Sequence, residues 1–204
     1  MREFTFIFVL SFIAFPFLQS CNYWSSSEKR VEGNGVIVNR LLEVQDFDSI
    51  SMDCVGEIIY EQVSEEDPYF QITTDENVLP YIDFRVENGC LMISRNDTIV
   101  MPSKLKIYTN SRSLGRIVLC DSAVIQLAGE VNAKRLDMYI EGRARVRTDS
   151  LFCEELRVDV ADFGNVDLVG ASNRACFRTR GNGAVNSESF IFEEFEDCEV
   201  LVEG

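Results

Sequence analysis

Ile117-Val118-Leu119-Cys120-Asp121-Ser122-Ala123-Val124-Ile125 sets the pattern by which the rest of the chain is read. Two apolar residues, Ile117 and Leu119, precede a small or polar stretch and then a third apolar residue, Ile125. The same offsets return at Met138, Ile140 and Val146, at Val158, Val160 and Val166, and at Phe177, Thr179 and Val185. The steps between copies are 21, 20 and 19 residues, a drift that suits stacked coils joined by elastic loops. One coil buries only three or four aliphatic side chains, too few to offset the entropy of ordering its backbone, so the coils must stack to fold. The expected architecture is therefore all-β, a parallel β-solenoid or β-helix-like stack with coils of about 20 residues.

Working outward, Ile50, Met52 and Ile58 repeat the spacing of Ile117, Leu119 and Ile125. The first half is otherwise less regular. Strand-like stretches are expected at Val36 to Val38, Ser49 to Asp53, Ile58 to Gln62, Tyr69 to Thr73 and Leu105 to Thr109. A helical turn is expected over Asp75 to Tyr81, capped by Thr74 or Asp75 and limited by Pro80. Asn88-Gly89 between Phe84 to Glu87 and Leu91 to Ser94 is a two-residue β-hairpin signal, because both central positions tolerate positive φ. The stretches Asp121 to Val124, Glu141 to Arg145, Ala161 to Asn165 and Arg180 to Ala184 are rich in small and polar residues and are expected to form the corners. Phe190, Phe192 and Phe195, followed by acidic residues, are expected to cap the last coil.

The first residues set the compartment. An apolar run from Phe4 to Leu18 ends in Leu18-Gln19-Ser20-Cys21, the pattern of a secretory signal with a lipobox. Residues 1–20 are read as a lipoprotein signal peptide, Cys21 as the lipidated residue, 21–30 as a flexible serine-rich tether, and 31–204 as the folded domain. Asn22, rather than Asp, favours the outer membrane by analogy with bacterial sorting rules, facing either the periplasm or the cell surface. Several acyl chains on Cys21 would hold the protein at the membrane, since each buried methylene contributes about 0.8 kcal/mol.

Composition excludes several function classes. The net charge is −15, which argues against nucleic acid as a partner. There is no histidine, so Ser-His-Asp and Cys-His catalysis is ruled out and the commonest zinc ligand is missing. Besides Cys21 there are six cysteines without CxxC spacing. Several stand in strand-like segments, which favours buried thiols over a disulfide framework. No cofactor is implied, and no metal site.

Phe47-Asp48-Ser49-Ile50, Gly56 to Gln62, Asp75-Glu76-Asn77-Val78-Leu79-Pro80-Tyr81-Ile82, Val86-Glu87-Asn88-Gly89 and Pro102-Ser103-Lys104-Leu105-Lys106 resemble matching stretches of the putative auto-transporter adhesin head GIN domains of bacterial envelope lipoproteins. With the repeats, the resemblance covers roughly residues 31 to 204. It implies a right-handed β-solenoid-like domain and brings no catalytic residues. The family's coils usually carry a leucine-serine-glycine-alanine-serine-aspartate motif. Here Leu119-Cys120-Asp121-Ser122-Ala123-Val124 stands in its place, with more divergent versions after it.

Two constellations are candidates for function. Arg143, Arg145 and Arg147 alternate along one coil, which places them on one face as a cationic strip for an acidic glycan or a carboxylate-bearing partner. Alternatively they belong to a structural ladder, with Asp167 one coil from Arg147 and Asp159 one coil from Arg178. Asp159, Asp162 and Asp167 are paired carboxylates of the kind polysaccharide cleavage uses, but only Phe163 stands near them as a sugar platform. The expected function is a non-enzymatic, lipid-anchored envelope binding or adhesion module with a glycan or protein partner. The alternative is a carbohydrate-active enzyme on a solenoid face.

Overall fold

The computed structural model describes residues 30–96 and 98–195, so the signal segment, Cys21, nearly all of the tether and Cys198 lie outside the described residues. Within them the chain is all-β, with one 3-10 turn at Leu79–Tyr81. In chain order the strands are β1 (Arg30–Glu32), β2 (Ile37–Glu43), β3 (Ser49–Asp53), β4 (Gly56–Gln62), β5 (Tyr69–Asp75), β6 (Ile82–Glu87) and β7 (Cys90–Arg95). They continue as β8 (Ile99–Met101), β9 (Leu105–Ser111), β10 (Arg116–Leu119), β11 (Ala123–Ile140), β12 (Arg145–Val160), β13 (Asn165–Thr179) and β14 (Ala184–Phe195). All but β1 and β8, which pair with each other, join one curled, open, mixed sheet.

The repeat positions stand opposite one another in parallel register. Ile117 lies between Ile50 and Met138, and Leu119 between Met52 and Ile140. Ile125 lies between Ile58 and Val146. The columns run on through Val158, Val160 and Val166 to Phe177, Thr179 and Val185. Ile50, Met52, Ile58, Ile117, Leu119, Ile125, Met138 and Val146 have no solvent exposure, so each layer buries its apolar residues on those of the next. Long strands serve two layers. The start of β11 pairs with β4 and its last four residues with β10, so the strand turns from one layer into the next.

One more layer exists than the spacing reveals. Leu91 and Ile93 of β7 stand opposite Ile50 and Met52, and Ile107 of β9 stands opposite Ile58. This layer is hidden in the sequence because β8 interrupts it, standing between Ile93 and Ile107 and pairing with β1. It is also out of chain order, since β3 and β4 sit between it and the layer of β10 and β11. The antiparallel strands β2, β5 and β6 then border the stack, which makes the sheet mixed rather than a uniform parallel coil. The expected hairpin is present, with Asn88 at φ 51° and Gly89 at φ 75°.

The expected helical turn is shorter than the sequence suggests. Only Leu79–Tyr81 is helical, with Pro80 inside it, and no side chain caps it. Asp75 does different work: its carboxylate accepts the Gly35 N–H at 2.7 Å, the Ser103 N–H at 2.8 Å and the Ser103 hydroxyl at 2.7 Å. The residue is fully buried, and these donors together hold its pKa below the ordinary carboxylate value, the Ser103 hydroxyl foremost. Gly33 packs against the same carboxylate, leaving no room for a Cβ. One buried acid thus ties the turn before β2 to the turn before β9.

The corners follow the expectation. Asp121 (φ 57°), Gly142 (φ 73°), Asp162 (φ 57°) and Gly181 (φ 62°) occupy equivalent corners in successive layers. Backbone bonds link them: Arg143 N–H donates to Asp121 C=O at 2.6 Å, Phe163 N–H to Gly142 C=O at 2.8 Å and Asn182 N–H to Asp162 C=O at 2.6 Å. Near the far end, Phe190 is buried and Phe177 meets Phe192 edge to face at 6.1 Å, as a cap requires.

Candidate binding face

Arg143 leaves a corner, and Arg145 and Arg147 open β12. Ala144, Val146 and Thr148 alternate with them and are buried, so all three arginines project outward from one face. The first layer-to-layer row on that face runs Glu57, Val124, Arg145, Asn165. The next runs Ile59, Gln126, Arg147, Asp167.

Charge on the face is only partly matched. Arg147 Nε lies 4.0 Å from Asp167 Oδ2, the outer limit of an ion pair. Glu57, in the row of Arg145, is held by Lys106 at 3.2 Å instead. Among the described residues neither Arg143 nor Arg145 makes an ion pair. Arg145 and Arg147 border a shallow depression of about 390 Å³ whose floor includes Val55, Leu105 and Val124. These apolar neighbours come from three different layers, and the sequence offers no spacing that unites them.

The other faces contrast with this one. Arg135, Glu155, Arg174 and Glu194 form a column of alternating sign, and Glu155 pairs with both Arg135, at 3.9 Å, and Arg174. Arg178 reaches Asp159 at 3.4 Å, as the ladder reading expects, and Arg116 lies 4.9 Å from the ring centre of Tyr139. Around the bend, Asn132, Phe152, Ala171 and Ile191 line a trough of about 530 Å³. The ladder therefore accounts for Arg178 and loosely for Arg147, but not for Arg143 or Arg145.

The carboxylates considered for glycan cleavage are dispersed. Asp159 is tied to Arg178, and Asp167 faces Arg147 and Asn186. Asp162 turns a corner, where it accepts the Gly142 N–H at 3.4 Å. Among the described residues no cluster of three or more Cys, Asp or Glu is placed to hold a metal ion.

Cys54, Cys90, Cys120 and Cys153 are free thiols; Cys90 lies in β7 and Cys153 in β12, while Cys54 and Cys120 directly follow β3 and β10. Burial pushes the Cys54 and Cys153 thiols up to about 12, helped at Cys54 by the negative charges of Asp53 and Asp121. Cys176 departs from the expectation of free thiols, being disulfide-bonded. Cys21 lies outside the described residues. No helix among those described is long and apolar enough to cross a membrane.

The chain thus forms an all-β domain built on one curled, open, mixed sheet whose core residues stand in columns. The chain belongs to the family described as putative auto-transporter adhesin, head GIN domain, whose profile matches residues 46–204. Solved structures share the fold. A putative adhesin from Bacteroides fragilis NCTC 9343 is 23% identical with a TM-score of 0.73, over 81% of this chain and 77% of that one. A putative adhesin from Parabacteroides merdae ATCC 43184 is 22% identical with a TM-score of 0.66, over 82% and 79%. A protein from Parabacteroides distasonis ATCC 8503, described as a putative lipid binding protein, is 23% identical with a TM-score of 0.65, over 82% and 80%. No curated protein matches the chain.

Proposed function

We propose that the chain is a non-enzymatic binding module of the bacterial envelope, lipid-anchored through Cys21, whose face of Arg143, Arg145 and Arg147 takes an acidic polysaccharide. One observation carries the ligand class. In a protein of net charge −15, Arg143 and Arg145 stand exposed without an ion pair among the described residues, and Arg145 borders a depression lined by Val55 and Val124 as well as by Glu57. A uronate-type chain would present carboxylates to the guanidinium groups and its ring faces to Val55 and Val124. Family membership supports an envelope binding role, and the adhesin relatives fit it.

The lipid anchor rests on Leu18-Gln19-Ser20-Cys21 and the polar stretch after it. At the outer membrane the module would face the periplasm or the cell surface. The layered part is read as a right-handed β-solenoid, supported by the in-register parallel columns and by the strong right-handed preference of parallel crossovers.

Retention of the lipid-free protein on a panel of acidic and neutral glycans tests the reading. Acidic members should retain it without being cleaved. Product release abolished by Asp162→Asn would instead favour a carbohydrate-active enzyme. Separately, Cys21→Ala should move the protein from the membrane to the soluble fraction, and a variant still fully membrane-bound would remove the anchor from the account.

A further inference from the structure

We propose that β2 pairs edge to edge with β2 of a second copy of this chain, antiparallel about a two-fold axis through Asn39. Among the described residues the large sheet has three free edges: β2, β6 at the opposite end of the path, and β14 at the end of the stack. Two of them are guarded by charge. β6 carries Asp83, Arg85 and Glu87, with Arg85 Nε 3.0 Å from Glu87, and β14 carries Glu188, Glu193 and Glu194. Such edges resist adding another strand.

β2 carries Arg40 within it and Glu43 only at its last position, so its charges leave its apolar residues in two exposed groups. Ile37, Leu41 and Leu42 are exposed, Leu41 to 68%, as is Val36 just before the strand. Arg40 is the one charge between these apolar ends. The backbone is also set for pairing. Glu76 N–H donates to Val36 C=O at 2.8 Å, and β2 continues antiparallel to β5 from Ile37 opposite Asp75. The alternation of an antiparallel ladder then turns the N–H and C=O groups of Ile37, Asn39, Leu41 and Glu43 toward the open edge.

Side-chain order selects the occupant and the register. Val36-Ile37-Val38-Asn39-Arg40-Leu41-Leu42 is apolar on both sides of Asn39. A two-fold axis normal to the sheet at Asn39 sets Ile37 opposite the partner's Leu41 and Val36 opposite the partner's Leu42. It sets Asn39 opposite the partner's Asn39, and Val38 opposite the partner's Arg40. Centring the axis on Arg40 would oppose two like charges, and centring it on Leu41 would set Ile37 against the partner's Gln45. Only the Asn39 centre matches apolar to apolar at both ends, so the strand is complementary to itself.

The test uses the mature chain carrying Cys21→Ser, which leaves it without lipid. Sedimentation equilibrium should give a dimer, and Leu41→Lys should weaken association by about tenfold or more while the circular dichroism spectrum stays unchanged. Asn39→Cys should yield a disulfide-linked dimer under mild oxidation beyond the wild-type background, because Cα atoms of a hydrogen-bonded antiparallel pair lie about 5.5 Å apart, within disulfide reach. Arg40→Cys should not. A monomer at every concentration, a dimer indifferent to Leu41→Lys, or cross-linking at position 40 but not at 39 would overturn the proposal. So would recovery of β2 paired with a different protein while the pure chain stays monomeric.

Discussion

The Asp75 carboxylate accepts the Ser103 hydroxyl at 2.7 Å across 28 residues of chain, and it also takes the Ser103 and Gly35 N–H groups. The contacts need the ionised acid, which is why its pKa is lowered in the folded state. A depressed pKa gives stability that is present above the unfolded value, about 3.9. That stability is lost as pH falls through the folded value. Urea midpoints measured from neutral to acid pH should therefore drop more steeply for wild type than for Asp75→Asn below about pH 4. Asp75→Asn should also be the less stable protein at pH 7, and equal acid profiles would refute this role.

At the corners, residue type and φ are set against each other. Gly142→Ala places a Cβ 2.7 Å from the Asp121 carbonyl at φ 73° and should cost about 1–3 kcal/mol in denaturant unfolding. Asp162 already holds φ 57° with a side chain, so Asp162→Gly should change stability by no more than about 1 kcal/mol. Comparable losses for the two would mean that the corners are not governed by backbone conformation.

Depth in the stack should grade the cost of core truncation. Ile58 lies between Ile107 and Ile125 with no exposure, so Ile58→Ala should cost about 2–5 kcal/mol. Val185, only half-buried in the last layer, should cost about 1 kcal/mol or less when cut to Ala. Chemical unfolding of both variants checks the gradient.

Thiol reactivity should separate the cysteines by burial. With their pKa values near 12, Cys54 and Cys153 carry on the order of one thiolate in ten thousand at pH 8, and little access besides. Iodoacetamide mapped by mass spectrometry should label both only after unfolding. Rapid native labelling of either would contradict their placement in the core.

These columns explain why so much of the fold was legible. Ile117, Leu119 and Ile125 face their equivalents in adjacent layers, so the chain writes its own pairing register as a spacing. Leu91, Ile93 and Ile107 obey the same geometry but escape the reading, because β8 separates them and chain order no longer follows spatial order. The role of Asp75 was hidden for a related reason: its partners come from residues far away in the chain, while its local surroundings read as a helix cap. Alternation correctly placed the three arginines on one face. Their neighbours Val55 and Leu105 could not be found that way, since pairing between distant strands brings them there.

The proposed ligand is tested most directly by titrating polygalacturonate into the lipid-free protein at several salt concentrations, with wild type beside Arg143→Ala/Arg145→Ala. Wild-type binding should weaken as salt rises, and the double variant should bind about tenfold or more weakly with a flatter salt dependence. Binding that is absent from the wild type, or equal in both proteins at every salt concentration, would contradict the assignment of this face.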